Sequence, residues 1–476
     1  MEEREREISY AEPSASDSGA ASVVVVVKPN PTRARPPLGV LLATLLYCAE
    51  LVNAAALCAR YSRTDDRHWL GFTAAFALLP AVLIQLALIF IHRDAGRDRP
   101  LVLLLHLLLL GPVVRCFDAL AVYFQMGRKE EPYVTITRKI YLKRGEGTRT
   151  ECQVSRSARI LATHRNAFKR TAVIQAFLGS TPQLTLQLYA TIQEKYILPI
   201  RLTLMIVAQI SVIYGALVCS VLAVQIRYDD YKVRFRPAAY LCMILWRGLE
   251  ISTRVTALVL MSTALTHWVI PVGAANLLFF FFLPWGEFWA KKGSLAQDVE
   301  KNFSKLGTVT VLCLFTLLYA CINVFCWSAV QLDLGHAELI DRKQRWGRLA
   351  AYYGARFAEN LLLIALWYFF KSDFYEYVCA PLLALQLLVG YGLAVLFMLI
   401  FYQFFHPCRS LFRHNIHDCL RCVCWRRRAG PEAGRPGRAA APSYSAAATV
   451  ALIPDEPREP ADRPVTDILD DIARYP

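Results

Sequence analysis

Residues 101–124 read LVLLLHLLLLGPVVRCFDALAVYF, an apolar run long enough to cross a bilayer, with Gly111-Pro112 at its middle and Arg115 and Asp118 just beyond. The run is flanked on both sides by positive charge. HRDAGRDRP lies before it at 92–100, and residues 127–171 after it carry twelve Lys or Arg against four Glu. Loops rich in Lys and Arg stay cytoplasmic, so both ends of this segment belong on one side of the membrane. One crossing cannot satisfy that, whereas two half-helices meeting at the Gly-Pro can, because proline lacks the N–H that continues a helix. The segment therefore reads as re-entrant.

Applied outward, the same reasoning covers the whole chain. Of 476 residues, 55% are hydrophobic and 19% charged, and the mean hydropathy is +0.34. That balance excludes a soluble enzyme, since so much apolar surface cannot all be hidden from water. Ten apolar stretches stand out at about 38–58, 69–91, 101–124, 172–193, 202–226, 238–265, 268–289, 308–330, 349–370 and 379–405. Residues 308–330 also have two basic flanks, with Lys291, Lys292, Lys301 and Lys305 before and Arg342, Lys343, Arg345 and Arg348 after. With this second re-entrant segment the expected fold is all-α and polytopic. It has about eight transmembrane helices and two re-entrant helical hairpins in a five-plus-five pseudo-repeat, with both termini cytoplasmic. Arg60, Arg63 and Arg67 then fall outside, against the rule. The sequon Asn302-Phe303-Ser304 falls inside and should carry no glycan.

The expected domains follow from this topology. Residues 1–37 form a disordered cytosolic N-terminus without a cleavable signal, and 38–226 a first membrane repeat with a cytosolic loop at 127–171. Residues 238–405 form a second repeat, 406–428 a basic, Cys-containing juxtamembrane segment, and 429–476 a disordered tail. In the 127–171 loop, PYVTITRKIYLKRGEGTRTECQVS alternates apolar and polar residues around Gly145-Glu146-Gly147, the pattern of a small cytosolic β-hairpin. The net charge of +15 is scattered in short clusters between apolar runs, so nucleic acid is not the expected partner.

The sharpest functional signal is charge inside the apolar runs, each costing about 2.5–3.5 kcal/mol at mid-bilayer even on the lenient insertion scale. Arg247, Glu250 and Arg254 share one helical face, and Arg356 and Glu359 repeat the three-residue spacing. Glu50 lies deep in the first segment, with Asn53 near it. Ser180, Gln183, Gln187 and Thr191 make a neutral polar stripe. These residues either fasten helices to one another or line a path for phospholipid headgroups, and the pattern leaves both open. No GxxxxGK[ST], HExxH, GxSxG or GxGxxG occurs, so no enzyme activity and no cofactor are expected. His414 and His417 near Cys419, Cys422 and Cys424 resemble metal spacing. Beside Arg426–Arg428 these Cys read instead as lipidated or free thiols, and no metal is assigned.

Several strings resemble the XK family: HRDAGRDRPLVLLLHLLLLGPVVRC, EEPYVTITRK, IQAFLGSTPQLTLQLY, INVFCWSAVQL, VCAPLLALQLLVGY and FYQFFHPCRSLF, over about residues 38–425. Within the family the chain is most similar to the founding member and that member's X-linked paralogue. The resemblance implies a multi-pass plasma-membrane protein that scrambles phospholipids and exposes phosphatidylserine without an energy source. It implies docking of a chorein-type lipid-transfer protein on the strand Tyr133, Val134, Thr135, Ile136 and Thr137, and a disulfide from Cys379 to a Kell-like endopeptidase. It also raises a caspase site at Asp467-Ile468-Leu469-Asp470, disfavoured by Asp471 after it. A non-transporting scaffold and a small-solute carrier for amino acids, built on Glu50 and the Arg247–Arg254 face, are the alternatives. A homo- or hetero-oligomer stays open.

Overall fold

The computed structural model describes residues 36–92, 100–126, 156–227, 235–291, 305–335, 339–341, 345–370 and 374–407. The hairpin at 133–137, Asn302, the juxtamembrane His and Cys residues, Asp467 and Asp470, and both terminal segments lie outside them. So does the side chain of Cys379, whose backbone sits near the start of the last long helix.

The described residues are almost wholly helical, as the apolar runs predict. In chain order the helices are α1 (Leu38–Thr64), α2 (Arg67–His92), α3 (Pro100–Leu107), α4 (Gly111–Met126), α5 (Arg156–Ile174), α6 (Thr181–Glu194), α7 (Pro199–Arg227), α8 (Pro237–Ala264), α9 (Val269–Ala290), α10 (Lys305–Phe325), α11 (Trp346–Phe370) and α12 (Phe374–Ile400). A π turn, Gln175–Ser180, joins α5 to α6, and another, Phe401–Phe405, follows α12. Five segments, α1, α2, α7, Thr266–Ala290 and Ala380–Phe405, are long and apolar enough to cross a membrane. Helices α8 and α11 match them in length but carry the ionised side chains. Outward faces are apolar: Leu45, Phe90, Phe117, Ile270 and Leu382 are all exposed. This is a multi-pass membrane protein, with lipid in the place of water around the bundle.

The Gly-Pro break is present. Helix α3 ends at Leu107, Leu109 takes a left-handed φ of 63°, and α4 begins at Gly111. A Cβ on Gly111 would fall 2.0 Å from Gln85 Oε1 and 2.2 Å from His106 Nδ1, so only glycine fits the bend. The tip docks deep in the bundle. Tyr47 donates to Leu109 O at 2.9 Å, and the buried His106 ring lies 2.9 Å from Gln85 Oε1. Both limbs return to one end, since α3 follows closely on α2 and α4 packs Cys116 and Ala119 against Val40 near the start of α1.

Residues 308–330 differ from the expected helical hairpin. Only the entering limb is helical, and after α10 the chain returns through the irregular segment Cys326–Val330 into a two-residue antiparallel ladder, Gln331–Leu332 with Ile340–Asp341. Helix α10 runs antiparallel to α9, with Leu312 against Phe288 and Thr316 beside Trp285. Lys291, at the end of α9, then pairs with Asp333 at 2.6 Å, so the chain leaves where it entered. No Gly-Pro marks this bend. The return can be irregular because side chains satisfy its backbone: Trp327 N–H donates to Glu250 at 3.0 Å and Ser328 N–H to Asn323 at 3.1 Å.

The 127–171 loop also needs correction, because Arg156–Thr171 belongs to α5. Leu161, His164, Ala167, Phe168 and Thr171 recur at helical spacing and bury one face, which outweighs the basic residues between them. In the first half α1 packs on α2, α7 and α5, and in the second α8 packs on α12 and α11. The halves meet where Phe177, Leu184 and Val212 pack against Ile251, Val255 and Ile322.

Candidate functional site

The intramembrane charges close on one another in separate networks. In the first, Arg247 pairs with Glu250 at 2.9 Å one turn along α8, donates from Nε to Ser220 on α7 at 2.9 Å, and lies over the Trp246 ring at 4.1 Å. Glu250 spends its other oxygen on the Trp327 N–H. Both side chains are almost fully buried. The pair therefore bolts α8 to α7 and to the return limb after α10.

The second network lies one to two turns further along α8. Arg254 donates to Glu359 at 2.7 Å, Asn360 at 2.8 Å and the Val324 carbonyl at 3.2 Å. Arg356 donates to Asn276 at 2.6 Å and the Asn323 carbonyl at 2.7 Å, and also pairs with Glu359. Its guanidinium faces the rings of Phe280 and Tyr352. Two cations thus share one carboxylate, and the Asn276 and Asn360 amides of α9 and α11 and two backbone carbonyls of α10 complete the shell. Glu359 has 23% of its side chain exposed, more than either arginine.

Glu50 belongs to the other half. Ser180 donates to its Oε1 at 2.6 Å, and the Gln175 amide donates to Oε2. Ser211 Oγ lies 2.9 Å from Ser180 Oγ. The π turn makes this arrangement, because its extra residue swings Gln175 and Ser180 toward α1. Gly215 lets α7 come close: a Cβ there would lie 2.2 Å from that of Ala176. Gln183 stands beside Glu50 in the wall of a water-sized cavity. Gln187 is spent elsewhere, on Thr73 and Tyr61, and the Tyr61 hydroxyl in turn accepts from Arg201, which pairs with Glu194 at 2.9 Å. Arg115 and Asp118 pair at 3.3 Å on α4.

The residues expected along one headgroup path are thus brought together in part. Arg247 joins Glu250, and Arg254 joins Arg356 and Glu359, but Glu50, Gln183 and Gln187 sit apart in the first half. Among the described residues Glu50 and the Arg247–Arg254 face belong to different hydrogen-bonded networks, in different halves. Asn276, Asn323, Asn360, Gln175, Ser211 and Arg201 were missed. An Asn in the middle of an apolar helix is the signal that could have found the first three.

A family model described as XK-related protein matches residues 38–407. A chimpanzee (Pan troglodytes) protein named endoplasmic reticulum membrane adapter protein XK is 50% identical over 394 residues, covering 82% of this chain and 89% of its own length. The proteins of that name from rat (Rattus norvegicus) and mouse (Mus musculus) are 50% and 49% identical over 407 residues, 84% of this chain and 91% of theirs.

Proposed function

The chain belongs to the XK-related family, and from that premise we propose that it is a membrane adapter: a stiff multi-pass bundle that ties a partner protein to the endoplasmic reticulum. The observation carrying this reading is the closure of the buried charges. Arg247, Glu250 and Arg254 are engaged by neighbouring helices and the return limb, Arg356 by its two terminal nitrogens, and Glu359 is shared between two arginines. Charges so engaged lock the helices in one register, as a platform requires, and leave little capacity for a moving headgroup. The name carried by the relatives supports the same conclusion.

The partner surface we assign is the segment 132–155, whose strand Tyr133–Thr137 would receive a chorein-type lipid-transfer protein by strand addition. Cys379 would hold a Kell-like endopeptidase through a disulfide. Co-precipitation from cells tests the first contact. Replacing 132–155 by a Gly/Ser linker of equal length should abolish capture of the lipid-transfer protein while leaving membrane insertion intact, and undiminished capture refutes the assignment. Cys379→Ser should remove a disulfide-linked species on a non-reducing gel. Microscopy of the tagged chain distinguishes the endoplasmic reticulum from the plasma membrane.

Phospholipid scrambling is the second reading. The partial exposure of Glu359 favours it, because a headgroup could reach that carboxylate at the edge of the Arg254–Arg356 cluster. Purified protein in liposomes with labelled lipid separates the two. The adapter reading expects no flipping above empty liposomes, and flipping that Glu359→Gln slows would replace it.

A further inference from the structure

Glu50 is 7% exposed, and its observed donors, Ser180 and Gln175, are neutral. Among the described residues no Lys, Arg or His pairs with it. A carboxylate in this position stays ionised only beside a positive partner, and its surroundings have room for one. Gln183, 4% exposed, lines the cavity beside Glu50 and has neither its amide oxygen nor its amide nitrogen satisfied. The Gln175 Oε1 is also buried without a partner. A buried polar group left unpaired costs about 1–3 kcal/mol, so one wholly unpaired amide and one unpaired amide oxygen facing one cavity beside one carboxylate mark a place for a ligand.

The chemistry narrows the ligand. Glu50, Gln175 and Gln183 line one cavity with a carboxylate and two side-chain amide oxygens, and the Ser180 and Ser211 hydroxyls stand behind the carboxylate, a hard, all-oxygen set with a single formal negative charge, drawn from α1, the π turn, α6 and α7. A monovalent ion neutralises that set, whereas a divalent ion would leave a buried positive charge. Size excludes organic cations. The cavity at Gln183 holds about 10 Å³ of water-sized space, and its neighbour, sharing Tyr47 and Gln175, about 20 Å³. We propose that Glu50, Gln175 and Gln183, with Ser180 and Ser211 supporting the carboxylate, form a binding site for a monovalent alkali cation within the first half of the bundle. The π turn supports this, since an inserted helical residue recurs at functional sites and here presents Gln175 and Ser180 to the carboxylate. The site is independent of the adapter reading.

The test uses the full chain in lipid nanodiscs, with NaCl or KCl replacing N-methyl-D-glucamine chloride at constant ionic strength, and thermal unfolding as readout. A cation that binds only the folded protein should raise Tm saturably, by about 2–4 °C at ten times its half-saturating concentration. Glu50→Gln should abolish the rise. Gln183→Leu should push half-saturation up by about tenfold or more, which keeps the test decisive if Glu50→Gln fails to fold. Glu359→Gln, in the other half, should leave the rise intact. A Tm indifferent to Na⁺ and K⁺, or an equal rise in Glu50→Gln and Gln183→Leu, overturns the proposal.

Discussion

Glu50 on α1 and Glu250 on α8 occupy matching places, each near the middle of the first helix of its half, and each is buried, yet their surroundings are opposite in kind. Glu250 is held by an arginine one turn away and by a backbone N–H of the return limb. Glu50 is held by an amide and a hydroxyl, with no cation in contact among the described residues. The difference teaches that a buried carboxylate can be a bolt or a socket. Where the positive partner is covalently part of the fold, the acid fixes helix register. Where the neighbours are neutral, as at Glu50, the acid can serve instead as the charged member of the proposed cation site.

The most severe way to probe the contrast is Glu250→Ala. It strands Arg247 in the bundle and should cost about 3–5 kcal/mol, read by denaturant or thermal unfolding in nanodiscs. A cost below 1 kcal/mol would mean that the pair is no bolt. Next comes Gly215→Val, which forces a Cβ into the Ala176 methyl and should cost about 1–3 kcal/mol. It should also weaken the cation-dependent rise in Tm, because α7 carries Ser211. The paired change Arg247→Met with Glu250→Leu removes both charges at similar volume. It should fall within about 1–2 kcal/mol of the parent, so a double variant as unstable as Glu250→Ala alone would show that the loss came from packing. The smallest effect belongs to Glu50→Gln. In N-methyl-D-glucamine buffer it should move stability by less than about 1 kcal/mol, since the new amide oxygen still accepts from Ser180 and its NH2 can donate to the unpaired Gln175 Oε1 once that amide turns over. A loss as large as that of Glu250→Ala would erase the distinction between the halves.

Much of the fold was legible because lipid imposes simple rules. A run of apolar residues must be helical, a Gly-Pro inside it must bend, and Lys and Arg on both flanks must bring the chain back to one side. Residues 101–124 obey all three. Residues 308–330 obey only the flank rule, and without a glycine or proline nothing in the string says that its second limb is irregular. That form depends on Glu250 and Asn323 being in place to receive the N–H groups of Trp327 and Ser328. The 127–171 loop shows the reverse error, since its basic residues masked a helical period that starts at Arg156.

The sequence by itself determined that this chain lives in a bilayer, that Arg247, Glu250, Arg254, Arg356, Glu359 and Glu50 must face protein, and that Gly111-Pro112 breaks a segment, because each follows from the cost of leaving a polar group in hydrocarbon. Only the tertiary structure decided which group answers which charge. Pairing depends on how each helix is rotated and how closely it approaches its neighbour, set here by the π turn before Thr181, by Gly215 against Ala176 and by the return limb after Phe325. Those are contacts between residues far apart in the chain, and no local spacing encodes them.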